Sequence, residues 1–131
     1  MPEPLTFDIE ATSGNARVGR VHTIHGSFAT PAFMPVGTRA SVKGILPHMV
    51  RQGGAEVLLN NTYHLMLRPG SELIRDMGGV HKFMNWDGPI LTDSGGYQAY
   101  SMADINAIDE DGVSFKSILD GSMVRLNPEI A

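Results

Sequence analysis

The chain contains no cysteine. Disulfides, thiolate nucleophiles and cysteine-ligated zinc are therefore excluded among its residues, and a reducing, cytoplasmic setting is the expectation that fits. No apolar run approaches the ~20 residues that a membrane-spanning helix needs. Met1-Pro2-Glu3-Pro4 offers neither the basic nor the apolar region of a secretory signal, so none is expected. A basic surplus is missing as well: ten Lys plus Arg face fourteen Asp plus Glu, a formal charge of −4. Nucleic-acid binders ordinarily show the opposite balance, so any RNA contact must rest on a local patch or on residues outside this chain. Nor is this the composition of disorder. Of 131 residues 42% are apolar and 18% charged, which suits one soluble domain with a core.

What is present changes character along the chain. Leu5, Phe7, Ile9 and Ala11 alternate with Thr6, Asp8 and Glu10, the period-2 pattern of a half-buried strand. Turns at Ser13-Gly14-Asn15 and His25-Gly26 separate it from extended pieces over Val18–Ile24 and from Phe28 onward. Residues 1–30 thus read as an antiparallel meander. Short apolar runs follow at Ala32–Val36, Val57–Leu59 and Pro89–Thr92. Between them, Pro47 predicts a helix over His48–Gln52 that stops at Gly53-Gly54. Pro69 predicts a second helix, with Leu73, Ile74 and Met77 on one face and an end at Gly78-Gly79. Strand, helix, strand, helix, strand at this spacing predicts βα units on a parallel sheet, with unalternating strands buried on both faces. Val113–Ile118 and Met123–Leu126 flank Asp120-Gly121, a hairpin inserted over about residues 100–126. Asn127, Pro128 and Glu129 announce another helix just as the chain stops at Ala131. The expectation is an α/β fragment, the front portion of a longer protein, because an eight-stranded barrel needs ~250 residues.

Chemistry concentrates in Pro89-Ile90-Leu91-Thr92-Asp93-Ser94-Gly95-Gly96-Tyr97-Gln98. A carboxylate there sits just past the carboxyl end of a buried strand, the face on which α/β barrels assemble their sites. Gly95 and Gly96 admit close backbone approach to a planar ligand, and Tyr97 and Gln98 add an aromatic face and an amide. Asp, Ser and Gly are also turn residues, and on local chemistry alone a plain strand-ending turn is the better-supported reading. Asn60-Asn61-Thr62-Tyr63-His64 leaves the preceding strand on the same face, where an asparagine can orient Asp93 or can merely cap its own backbone. Other candidates are weaker. His22 and His25 share no helical face for a metal, while His48 and His81 stand isolated. Asp109-Glu110-Asp111 reads as a solvated loop, Asp120 and Asp87 as turn residues, and the eight methionines as core filler. No metal site is expected.

Several of these stretches resemble the tRNA-guanine transglycosylases, or queuine tRNA-ribosyltransferases, of bacterial type. The resemblance is carried by Leu91-Thr92-Asp93-Ser94-Gly95-Gly96-Tyr97-Gln98 and by Asn61-Thr62-Tyr63-His64-Leu65, followed by Arg68-Pro69-Gly70. It extends to Pro31-Ala32-Phe33-Met34-Pro35-Val36-Gly37-Thr38 and to Phe115-Lys116-Ser117 with Leu119-Asp120-Gly121, nearly the whole chain in the family's order. It moves the Asp93 stretch from turn to site.

The resemblance implies an irregular (β/α)8 TIM barrel preceded by a small antiparallel sheet, here truncated before closure after its first βα units (residues 31–131). It implies exchange of guanine at the anticodon wobble position of tRNA for a 7-deazaguanine, either 7-aminomethyl-7-deazaguanine or queuine. The reaction is a double displacement at the ribose anomeric carbon, in the logic of retaining glycosidases. Asp93 is then the proton-transfer residue. Ser94, Gly95, Gly96 and Tyr97 form the base-binding loop with Tyr97 stacking on the purine, and Asn61 orients Asp93. The nucleophilic aspartate, the structural zinc bound by three cysteines and a histidine, and much of the tRNA surface are expected beyond residue 131. The fragment alone is therefore expected to be inactive, and the full-length protein a homodimer with no membrane partner. Ile118 departs from the pattern, which has a histidine there. Competing expectations are a non-catalytic accessory subunit, against which the intact Asp93 loop speaks, and a small stand-alone binding module.

Overall fold

The computed structural model describes residues 5–102 and 105–129; Met1–Pro4, with the expectation about a leader, lie outside them, as do the residues past Glu129 into which the helix expected from Asn127 and Pro128 would run. Asn127 is a coil residue, and Pro128 and Glu129 are in a turn. The described residues form a mixed α/β structure with three separate three-stranded sheets. No helix among the described residues is long and apolar enough to cross a membrane.

Strands β1 (Leu5–Ser13), β2 (Ala16–Thr23) and β3 (Gly26–Thr30) make the predicted antiparallel meander, in the order β1-β2-β3. Phe7 pairs with Val21, and Val21 with Phe28, so one row of apolar side chains crosses the sheet. Gly19 makes room for the Phe7 ring: a Cβ there would lie 2.7 Å from Phe7 Cζ. A bulge between Ile9 and Ala11 interrupts the β1–β2 register and shifts the alternation that the sequence suggested. The expected half burial is not found. Every residue of β1 is exposed, because among the described residues no second layer covers its apolar row. Phe28 on β3 is buried instead.

The second sheet is parallel, in the order β4 (Val36–Gly37), β5 (Leu58–Asn60), β6 (Ile90–Thr92). Strand β4 is only two residues long, since Pro31 and Pro35 carry no N–H for a ladder. Helix α1 (Pro47–Gln52) starts with Pro47 in its first turn, as predicted. Leu58 is buried, but Leu91 is 43% exposed: β6 is an edge strand here and not buried on both faces. The Pro69 helix is corrected to α3 (Ser71–Asp76), because its N-cap, Gly70, has a φ of 105°, outside helical space. Its expected apolar face is not packed, with Leu73 and Met77 exposed.

Three short helices went unpredicted: α2 (Thr62–Leu67), α4 (Val80–Met84) and α5 (Gly96–Met102). Each has five to seven residues, too few turns for a 3.6-residue period to show. The expected hairpin is the end of α5 followed by a third antiparallel sheet of β7 (Ile105–Asp109), β8 (Gly112–Lys116) and β9 (Met123–Leu126). Asp120 turns the chain between β8 and β9 by accepting hydrogen bonds from Ser122 N at 3.0 Å and Ser122 Oγ at 2.7 Å.

Two apolar clusters hold these parts. One packs Ala40, Val50, Leu58, Met84 and Trp86 between the parallel sheet and helices α1 and α4. The other packs Tyr63 of α2, Ala99 of α5, Phe115 of β8 and Leu126 of β9. The second cluster ties to one sheet the two helices that follow Asn61 and Gly95.

Candidate functional site

Parallel strands β5 and β6 end side by side, Asn60 pairing with Thr92, so the residues after them leave the sheet together. The Asp93 N–H donates to the Asn60 carbonyl at 3.2 Å, extending the pairing one step. Asn60 itself is fully buried, and its side-chain NH2 donates to the carbonyls of Gly37 at 2.8 Å and Leu59 at 3.3 Å. That amide fills the space where a Cβ on Gly37 would sit, 2.7 Å away.

The Asp93 carboxylate, half-buried, accepts three N–H groups. Asn61 Nδ2 donates to Oδ2 at 2.6 Å, while the backbone N–H groups of Thr62 and Gly95 donate to Oδ1 at 2.9 and 3.1 Å. Asn61 also caps α2, its Oδ1 accepting from His64 N at 3.0 Å. The two readings of Asn61 are thus one arrangement: capping the helix fixes the amide plane, and that plane presents the NH2 to the carboxylate. Thr62, to which the sequence reading gave no role, hydrogen-bonds Asp93 twice, by its N–H to the carboxylate and by Oγ1 to the main-chain carbonyl. Its only sequence signal is its place directly after Asn61.

Gly95 closes the arch. It is buried, with a φ of 71°, and an added Cβ would meet the Tyr63 backbone nitrogen at 3.1 Å and Leu126 Cδ2 at 3.3 Å. Both conformation and space demand glycine there. Ser94 and Gly96 are exposed, and Ser94 Oγ accepts from Gly96 N at 3.3 Å at the start of α5. Tyr97, one residue into that helix, is 77% exposed, its ring open to solvent and available for stacking. A carboxylate has about four lone-pair positions. Three are occupied here, which leaves Oδ2 one position for a proton or an N–H from a planar ligand.

The other polar candidates are not in this site. His22 pairs with Asp8 at 3.1 Å on the meander. His81 is not isolated: it stacks on His25 at 3.7 Å between ring centroids, and its Nε2 donates to Gly88 O at 3.1 Å. Burial and the neighbouring His25 hold the His81 pKa below its ordinary value, against the opposing Gly88 bond. Asp87 pairs with Arg51, whose guanidinium lies 4.3 Å over the Trp86 ring. The Arg125 hydrogen bond, first among several, holds the Asp109 carboxyl below the usual range. A cleft of about 710 Å³ is lined by His48, Arg51, His81 and Trp86, on segments leading into the amino ends of β5 and β6, away from Asp93. Among the described residues no group of three or more His, Asp or Glu is placed to hold a metal.

Fold and site together define an α/β protein that gathers an acid, an amide and a glycine arch at the carboxyl edge of a parallel sheet. Comparison with known proteins gives the family. The queuine tRNA-ribosyltransferase family model matches residues 11–131. A queuine tRNA-ribosyltransferase of Ruegeria pomeroyi is 57% identical over 129 residues, covering 98% of this chain and 34% of that protein. One from Koribacter versatilis is 55% identical over 131 residues, 100% of this chain and 34% of its own. One from Thermus thermophilus is 54% identical over 127 residues, 97% and 33%. The chain belongs to the queuine tRNA-ribosyltransferase family, and it spans about a third of the length of these curated relatives.

Proposed function

We propose that this chain is the first third of a tRNA-guanine transglycosylase, comprising the opening βα units of a TIM barrel and the proton-transfer half of its active site. The reaction is base exchange: guanine at the anticodon wobble position of tRNA leaves, and a 7-deazaguanine takes its place. The observation that carries this reading is the Asp93 carboxylate, held by Asn61, Thr62 and Gly95 at the carboxyl edge of the parallel strands beside the exposed Tyr97 ring.

The chemistry follows from that position. A second carboxylate, on the remaining two-thirds of the protein, attacks the ribose anomeric carbon. The bond to guanine breaks, and Asp93 in its protonated form returns a proton to the departing base. The same Asp93, now ionised, takes a proton from the incoming base as that base displaces the enzyme carboxylate, so one proton is given and one recovered. Tyr97 stacks on the purine, and the absence of side chains at Gly95 and Gly96 lets the base lie close against the arch, whose Gly95 N–H holds the Asp93 carboxylate. Since the nucleophile lies elsewhere, residues 1–131 alone do not turn over, and the active protein is a homodimer whose structural zinc is bound by other residues.

The test is incorporation of radiolabelled guanine into tRNA. A full-length enzyme carrying this segment incorporates label, its Asp93→Asn variant loses ~10²- to 10⁴-fold in turnover, and the 131-residue chain is silent. Undiminished exchange by the Asn variant sinks the assignment. The intact acid, amide and glycine arch favour this reading over a non-catalytic accessory subunit.

A further inference from the structure

Five hydrogen bonds fix Asp93, and they divide into two kinds. Three hold the carboxylate, from Asn61 Nδ2, Thr62 N and Gly95 N. Two hold the main chain: the Asp93 N–H donates to Asn60 O, and the Thr62 hydroxyl donates to the Asp93 carbonyl. A carboxylate that passes a proton to and from a base must exchange side-chain partners during the cycle, since an oxygen taking up a proton becomes a donor there. The two main-chain bonds have no such obligation. They are the fixed pivot about which the side chain changes partners.

We propose that Thr62 is a positioning residue for proton transfer, its hydroxyl pinning the Asp93–Ser94 peptide while the carboxylate changes hydrogen-bond partners. This rests on the reading of Asp93 given above. Thr62 is well placed for it, being 7% exposed and so shielded from competing water. Its backbone N–H and that of Gly95 donate to the same carboxylate oxygen, Oδ1, so Thr62 bonds both the side chain and the main chain of Asp93. Asn60 holds the N–H side of Asp93 through a backbone carbonyl that any residue supplies, whereas the carbonyl side depends on a hydroxyl. Removing that hydroxyl leaves the peptide after Asp93 unanchored and free to tilt. Such a tilt displaces both the acid and the Gly95 N–H relative to the base, and displacements of this order cost up to ~10²-fold in rate.

The experiment measures guanine exchange by a full-length enzyme carrying this segment, with Thr62→Val, Thr62→Ser and Asp93→Asn compared at matched Tm. Valine keeps the shape and the backbone N–H but removes the hydroxyl. The expected result is a ~10- to 100-fold fall in kcat for T62V with the KM for tRNA within about twofold, and recovery of most of that loss by T62S, whose hydroxyl is retained. A purely structural role would lower Tm and would not distinguish Val from Ser through kcat alone. If T62V does not fold, Thr62→Ala against Thr62→Ser decides on the same criterion. Wild-type kcat in T62V, or equal losses in T62V and T62S, overturns the inference while an inactive D93N leaves the Asp93 reading standing. An active D93N removes both.

Discussion

The meander at the start of the chain and the loop pair around Asp93 are opposites. In the meander, β1 alternates apolar and polar residues over nine positions and pairs along its length, yet all nine are exposed. Around Asp93, the polar run Asn60-Asn61-Thr62 passes from the last residue of β5 through a cap to the first residue of α2, and these residues are 0%, 7% and 7% exposed. Regular backbone and tertiary fixation are separate properties here. The ladder satisfies N–H and C=O groups within the sheet, and at its β3 edge the Ala29 N–H donates to the Glu56 carboxylate at 2.8 Å. Past Asn60 and Asp93 the ladder ends, so side chains and backbone of one segment satisfy those of the other, and that requirement fixes their positions.

The contrast can be broken at its strongest point first. Gly95→Ala forces a side chain onto a φ of 71° against the Tyr63 backbone, and is expected to cost ~1–3 kcal/mol of stability in urea denaturation and to abolish guanine exchange in the full-length enzyme. Asn61→Ala removes the α2 cap and the carboxylate partner together. A loss of ~1 kcal/mol is expected from the cap, and exchange should fall by more than that stability loss explains. On the meander, Ile9→Ser at a 58% exposed position should change stability by less than ~0.5 kcal/mol. A loss approaching that of Asn61→Ala would show that something outside the described residues covers the sheet.

The smallest expected effect concerns pH, where the meander meets the βα units through the His25–His81 stack. The folded His81 ring resists protonation relative to its ordinary value of 6.5. On acidification the unfolded ring therefore binds a proton first, so stability is full above about 6.5 and declines as pH falls below it. Thermal melts at pH 7.5 and 5.5 should show this decline, and His81→Gln should flatten it. The contributions of the depressed carboxyls of Asp109 and Asp120 are present throughout this range and fade only as pH falls below their ordinary value of 3.8.

What the sequence disclosed follows the same division. The meander and α1 were readable because alternation, turn pairs and Pro47 are local signals. The three short helices were not, because α2, α4 and α5 exist through tertiary contacts, with Tyr63 and Ala99 fully buried against Phe115. That Asp93 and Asn61 lie at strand ends was readable; how they are joined was not. Asp93 and Asn61 stand 32 positions apart, and their meeting depends on parallel pairing of β5 with β6. The Thr62 hydroxyl bond and the His25–His81 stack have no sequence signature at all.

Asn60 gives the last lesson. Its side-chain amide reaches across to the Gly37 carbonyl from within a strand, working as a key cut for one alignment of β5 on β4. Slide β5 by one position and the key turns to the opposite side of the pleat. Asn61 then no longer faces Asp93, and α2 loses its first turn. A misalignment of neighbouring strands would thus silence chemistry one residue downstream while leaving every acid and amide in place, so Gly37 and Asn60 should be exchanged only as a pair.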